Sequence, residues 1–236
     1  MARQPRRIRN GGAKSDARDV ARRHDRAYRR ARDGPPHPRA ERDIDDHYRT
    51  VRARVEFRQK IERSEFLGIA FPVSSETEFF AELDAIAKRH FDATHHCWAF
   101  RLFEGERARS SDAGEPSGTA GKPILAAIGD LFDVAVIVVR WFGGVKLGTG
   151  GLSRAYRETA AETLKRAEIV DRYVYDRVEV IVPFDRLSDA YRLIDPPSVV
   201  LAAKDFAEDN VFAFDVRRSL RDAFIRAVTA RKLTPR

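Results

Sequence analysis

The sequence predicts a mixed α/β (α+β) fold in two domains, and three observations carry that expectation. The chain has 236 residues, about one large domain or two small ones. From Val51 onward, period-two apolar segments alternate with segments of helical period. The last 65 or so residues repeat a smaller β-α-β-β-α cycle, the order of a ferredoxin-like domain.

Each element has its own signal. VRARVEF sets Val51, Ala53, Val55 and Phe57 against Arg52, Arg54 and Glu56, which predicts a half-buried strand. SEFLGIAFPV, residues 64–73, predicts a second strand closed by Pro72. A helix is expected over 76–90, opened by a capping box of Ser75 and Glu78, with Phe79, Leu83, Ile86, Ala87 and His90 on one face. A strand over 95–103 follows, then a polar stretch from Glu104 to Gly118 and a short helix from Lys122 to Ile128. Val134 to Val139 is a continuous apolar run of the kind found in buried central strands. The pattern over 152–167 predicts a longer helix with Leu152, Ala155, Tyr156, Thr159 and Thr163 inward and Glu162 paired with Arg166 outward.

In the last segment, VYDRVEVIVPF predicts a strand, and Asp185 is placed to cap a helix stopped by Pro196 and Pro197. SVVLAAKDF and NVFAFDV predict two strands joined by a turn at Glu208, Asp209 and Asn210. Ser219 and Asp222 are expected to open a final helix with Leu220, Phe224 and Val228 facing inward.

Composition excludes several classes. One cysteine, Cys97, rules out an internal disulfide and a cysteine-rich zinc site. No apolar run approaches the roughly 20 residues of a membrane span, and no N-terminal apolar stretch suits a signal peptide, so a cytoplasmic protein is expected. The net charge of +8 is concentrated. Residues 1–50 carry 15 of the 44 Lys and Arg but 8 of the 36 Asp and Glu, which leaves the body nearly neutral. Residues 1–43 have few sizeable apolar side chains and read as a basic, disordered extension, helical at most over 15–32. Such an arm is either dispensable or holds phosphates without sequence preference.

Chemistry is expected where glycines interrupt strand-to-helix junctions. In SDAGEPSGTAGKPIL, residues 111–125, Ser117 and Thr119 are placed to cap the next helix, and Lys122 stands at its start. In RWFGGVKLGTGGLSRAY, residues 140–156, Gly143, Gly144, Gly148, Gly150 and Gly151 lie between a buried strand and a helix. Backbone N–H groups and the helix dipole there suit an anion, with Arg140, Lys146, Arg154 and Lys122 as charge and Ser117, Thr119 and the glycine N–H groups to orient it. The spacing is neither a Walker A loop nor Gly-x-Gly-x-x-Gly.

Asp112 and Glu115 offer an acid and a base, with His95 as a proton shuttle, or else both carboxylates bond backbone N–H groups and hold the loop. His95 and His96 point to opposite faces of their strand, and Cys97 shares the face of His95 as a core thiol or a thiolate partner. Trp98, Phe100, Trp141 and Phe142 are core aromatics or stacking platforms for bases. No cofactor and no metal site is expected.

DATHHCWAF at 92–100, SDAGEPSGTAGKPIL at 111–125 and VIVVRWFGGVKLGTGGLSRAY at 136–156, in that order and spacing, resemble the signature blocks of the IMPACT (YigZ-type) family. The resemblance covers 45–168 strongly and 173–236 more loosely, and leaves out 1–43. It implies a left-handed β-α-β domain over 44–170, like a ribosomal-protein domain and the fourth domain of elongation factor G, and a ferredoxin-like domain over 171–236. For eukaryotic members it implies regulation of translation, and for bacterial ones a role near RNA or the ribosome. The family pattern has a second acidic residue where this chain has Ala113, which weakens any scheme needing adjacent carboxylates. The residues and the resemblance together lead to a regulatory or binding protein whose partner is RNA, the ribosome or another phosphate-bearing component. The competing expectations are an enzyme acting on a small phosphorylated substrate and a purely protein-binding module.

Overall fold

The computed structural model describes residues 46–104, 107–206 and 210–236. The basic segment 1–43 and the turn residues Glu208 and Asp209 lie outside the described residues. The chain divides into two compact units, one holding 47–172 and the other holding Asp46 with 173–236.

The first unit is built on β1 (His47–Val51), β2 (Val55–Ile61), β3 (Ser64–Pro72), α1 (Glu76–Arg89), β4 (His95–Arg101), β5 (Ala108–Ser111), α2 (Gly121–Ile128), β6 (Val134–Trp141), α3 (Gly148–Leu164) and β7 (Ile169–Tyr173). Five strands pair antiparallel in the order β2-β3-β6-β4-β5. Because β6 lies between β3 and β4 and runs opposite to both, β3-α1-β4 is a parallel crossover, and β5-α2-β6 is another across β4. These are the β-α-β units implied by the family resemblance.

Strand alternation sends side chains to two cores. Leu67, Ile69, Phe71, Trp98, Phe100, Ile137 and Val139 pack under α1 with Phe79 and Ile86. Phe66, Ala70, Cys97, Ala99, Val136 and Val138 pack under α2 and α3 with Ile124, Leu152 and Tyr156. The continuous apolar run is therefore the central strand β6, covered on both faces. Gly68 in β3 lets α3 come close, since a Cβ there would lie 2.1 Å from Thr163 Oγ1.

In the second unit β8 (Tyr175–Ile181), α4 (Leu187–Tyr191), β9 (Val199–Phe206), β10 (Asn210–Arg217), α5 (Arg221–Ala230) and β11 (Thr234–Pro235) form an antiparallel sheet of order β11-β8-β10-β9. This is the 4-1-3-2 order of a ferredoxin-like domain, with Val178, Val180, Phe212 and Phe214 packed against Ala190, Phe224 and Val228. Asp46 is fully buried, accepting from Arg217 Nη2 at 2.8 Å and from the Ser219 backbone N–H and hydroxyl at 2.9 and 2.6 Å.

Several local expectations need correction. The first alternating segment is two strands, broken at Arg52–Arg54, where the Arg52 N–H donates to Glu168 O instead of to the sheet. The polar stretch after β4 contains strand β5, whose sequence ARSS carries no apolar alternation because it is a short edge. Helix α3 starts at Gly148, four residues before the periodic pattern, since packing overrides the poor helix propensity of its glycines. Asp185 caps no helix: α4 spans five residues after a single tight turn. Ser219 is occupied by Asp46, so α5 opens at Arg221 without a side-chain cap. At α1 the Ser75 hydroxyl accepts from the Glu78 N–H at 3.2 Å, while the Glu78 carboxylate reaches back to Ser74 rather than Ser75.

Candidate functional site

The two glycine-rich segments meet around one buried guanidinium. Arg140, near the end of β6, is 4% exposed. Its Nη1 donates to Glu115 Oε1 at 2.5 Å, and its Nη2 donates to Ser64 Oγ at 3.1 Å. Ser64 Oγ also accepts from the Gly143 N–H at 3.3 Å. One side chain therefore ties the 111–121 segment, through Glu115, to the 143–151 segment, through Ser64. The expected role of Arg140 as a phosphate contact is corrected: its two terminal nitrogens are taken by protein groups beneath the surface. Its Nε is buried and has no hydrogen-bond partner among the described residues.

Glu115 is the acceptor at the centre. Its Oε1 takes the Tyr156 hydroxyl from α3 at 2.7 Å, and His95 Nε2 stands 3.8 Å away. The other ring nitrogen of His95, Nδ1, lies 2.9 Å from Ala113 O. His96 turns to the opposite face, its Nε2 3.1 Å from His90 O, and burial lowers its basicity. Tyr156 is fully buried, and burial above all pushes its phenol well above the ordinary value. Cys97 donates from Sγ to Asp112 O at 3.0 Å, and burial drives its thiol up to about 12. It is a core thiol.

Asp112 does different work. Its carboxylate accepts from the N–H groups of Gly118 at 2.7 Å and of Ala120 and Gly121 at 2.8 Å. Burial opposes its charge, but these three donors outweigh burial and hold the carboxyl below its ordinary value. Asp112 thus caps α2 from outside the helix, and the expectation for Ser117 and Thr119 is corrected. The Thr119 hydroxyl is buried and donates to Pro116 O at 2.6 Å, while Ser117 is exposed and the N-cap residue Ala120 has no capping side chain. Of the acid–base candidates, His95 and Glu115 come together and Asp112 is turned onto backbone donors. Among the described residues no group of three or more His, Cys, Asp or Glu side chains is placed to hold a metal ion.

The outer surface is glycine and cation. Gly144 and Gly148 have positive φ of 85° and 68°, which the turn into α3 requires, and no side chain caps that helix. Gly150 and Gly151 lie in the first turn of α3. Lys146, Arg154 and Lys122 are exposed and form no ion pair among the described residues. Trp98 and Phe100 are buried in the α1 core against Phe79, which corrects them as stacking platforms. Phe142 is 46% exposed.

Sequence reasoning missed Ser64 and the polar end of Tyr156. A tyrosine within an apolar helical stripe is the available signal, because a buried hydroxyl needs a partner. Nothing local marks Ser64.

The family model described as Impact N-terminal domain matches residues 62–164, the stretch that holds this whole network. An IMPACT family member of Thermus thermophilus is 46% identical over 136 residues, 57% of this chain and 73% of the relative. The IMPACT family member YvyE of Bacillus subtilis is 41% identical over 128 residues, 53% of this chain and 59% of the relative. The match thus spans under two thirds of YvyE's length. A crystal structure of a hypothetical protein, at 23% identity, shares the fold with a TM-score of 0.60 over 80% of this chain and 96% of that one. Among the described residues no helix is long and apolar enough to cross a membrane. At 46% identity over 73% of the Thermus thermophilus relative, with the Impact N-terminal model matched over residues 62–164, the chain belongs to the IMPACT family.

Proposed function

We propose that this chain is a cytoplasmic regulatory protein associated with translation, which binds RNA, the ribosome or another phosphate-bearing partner through the surface of its two glycine-rich segments. The observation that carries the reading is the uncapped N-terminus of α3. It is preceded by Gly144 and opens at Gly148, both at positive φ with open space around them, and is flanked by the exposed cations Lys146 and Arg154, which have no carboxylate partner among the described residues. Such an end attracts an anion. Lys146, Arg154 and Lys122 contact phosphate, and Ser117 with the N–H groups of Gly148, Gly150 and Gly151 orients it. Arg140 acts as a positioning residue: it holds Glu115 and Ser64 and so keeps both segments in register.

The test is binding of the full chain to a single-stranded oligoribonucleotide and to ribosomes across a salt titration. A Lys146→Ala/Arg154→Ala double variant is measured alongside. Two lost phosphate contacts flatten the slope of log K against log salt by about 1.4 for a single strand. A double variant that binds with the affinity and slope of the parent overturns the reading.

A further inference from the structure

Beside the glycine-rich surface lies a rim of exposed aromatic side chains. Phe91, just past α1, is 85% exposed, and Phe142, at the start of the second glycine-rich segment, is 46% exposed. Their two loops are fastened together. The Phe142 N–H donates to Thr94 Oγ1 at 3.0 Å, the Thr94 N–H donates to Arg140 O at 2.8 Å, and Trp141 Nε1 donates to Asp92 Oδ2 at 3.0 Å. The rings therefore stand on a rigid support, an arrangement that costs little ordering entropy on binding.

Arginines stand close to both loops. The Arg140 guanidinium lies 5.4 Å from the Phe142 ring centroid. Arg63 is the backbone neighbour of Gly143, where a Cβ would collide with it, and Arg89 precedes His90, whose ring packs edge-on to Trp141 at 5.6 Å. Arg63 and Arg89 are exposed and form no ion pair among the described residues. Of the nearby carboxylates, Asp92 accepts from Trp141 and Glu65 pairs with Arg58, while Glu62, beside Arg63, is exposed. Exposed π-faces among unpaired cations match unpaired bases strung on phosphates, whereas a duplex buries its base faces.

Resting on the RNA-binding reading, we propose that Phe142 and Phe91 stack unpaired bases. The chain would thereby select single-stranded over duplex RNA at this rim, with Arg63 and Arg89 on the adjoining phosphates.

The experiment uses the full chain and an oligoribonucleotide with 2-aminopurine at one internal position, single-stranded and annealed to its complement. The parent should bind the single strand at least about fivefold more tightly than the duplex and change the 2-aminopurine fluorescence on binding. Phe142→Ala and Phe91→Ala should each weaken single-strand binding about fivefold or more and reduce that fluorescence change, leaving duplex binding unmoved. Phe142→Leu, which keeps apolar bulk without the ring, should behave like Phe142→Ala, and coincident thermal melts exclude unfolding. If the Lys146→Ala/Arg154→Ala variant loses RNA while the phenylalanine variants bind both strands like the parent, stacking is overturned and the glycine-loop reading stands. A parent that binds ribosomes but not the oligoribonucleotide overturns stacking alone, and a parent that binds neither overturns both. Phenylalanine variants that lose ribosomes but keep RNA affinity assign the rim to a protein and overturn the proposal.

Discussion

Arg140 and Glu115 form a buried ion pair at 2.5 Å across 25 positions of sequence, with side chains 5% and 4% exposed. The pair is completed by the Tyr156 hydroxyl on the carboxylate and Ser64 on the guanidinium, so that each charge keeps hydrogen-bond partners after desolvation.

Breaking it leaves one charge stranded. Arg140→Met and Glu115→Gln should each destabilise the fold by about 3 kcal/mol or more in urea denaturation. The double variant should lose less than the sum, because neither partner is then left unpaired. Additive losses would show that the two groups do not interact.

Asp112 links loop structure to pH. Its folded pKa is depressed below the ordinary value of 3.8, so its contribution is present above that value and disappears as pH falls through the folded pKa. Asp46, held down by Arg217 and Ser219 against the opposing effect of burial, acts in the same direction. Stability should therefore drop below about pH 4, and Asp112→Asn should lower stability at pH 7 by about 1–2 kcal/mol while flattening the acid-side slope. Parallel acid-side slopes in parent and variant would refute the assignment.

Gly68 tests the seating of α3. Gly68→Ala places a methyl 2.1 Å from Thr163 Oγ1 and should cost about 1–3 kcal/mol. Adding Thr163→Ala removes the colliding atom and should recover part of the loss, measured by thermal or urea unfolding. No recovery would mean that the clash lies elsewhere.

Cys97 should resist alkylation. With its thiol pushed up to about 12 and fully buried, it should label at neutral pH only as fast as the domain opens, and at the rate of a free thiol in denaturant. Rapid labelling of the folded chain would contradict the core assignment.

Much of the fold was legible because periodicity reports burial directly. The run Val134–Val139 marked the doubly covered central strand, Phe79 and Ile86 marked the buried face of α1, and the last 65 residues announced their strand and helix order. The limits of α3, the edge strand β5 and the break at Arg52–Arg54 were not legible, because each depends on what packs against the segment and not on its own pattern. The same division runs through the candidate site. The sequence by itself determined which segments carry glycine, charge and carboxylate, since those are properties of local composition. Which of them face solvent was decided by tertiary structure alone. Arg140 reads as a surface cation until Glu115 and Ser64 close over it, and Asp112 reads as an acid until three backbone N–H groups claim it. A polar group's role follows from its partners, and those partners come from distant sequence once the chain has folded.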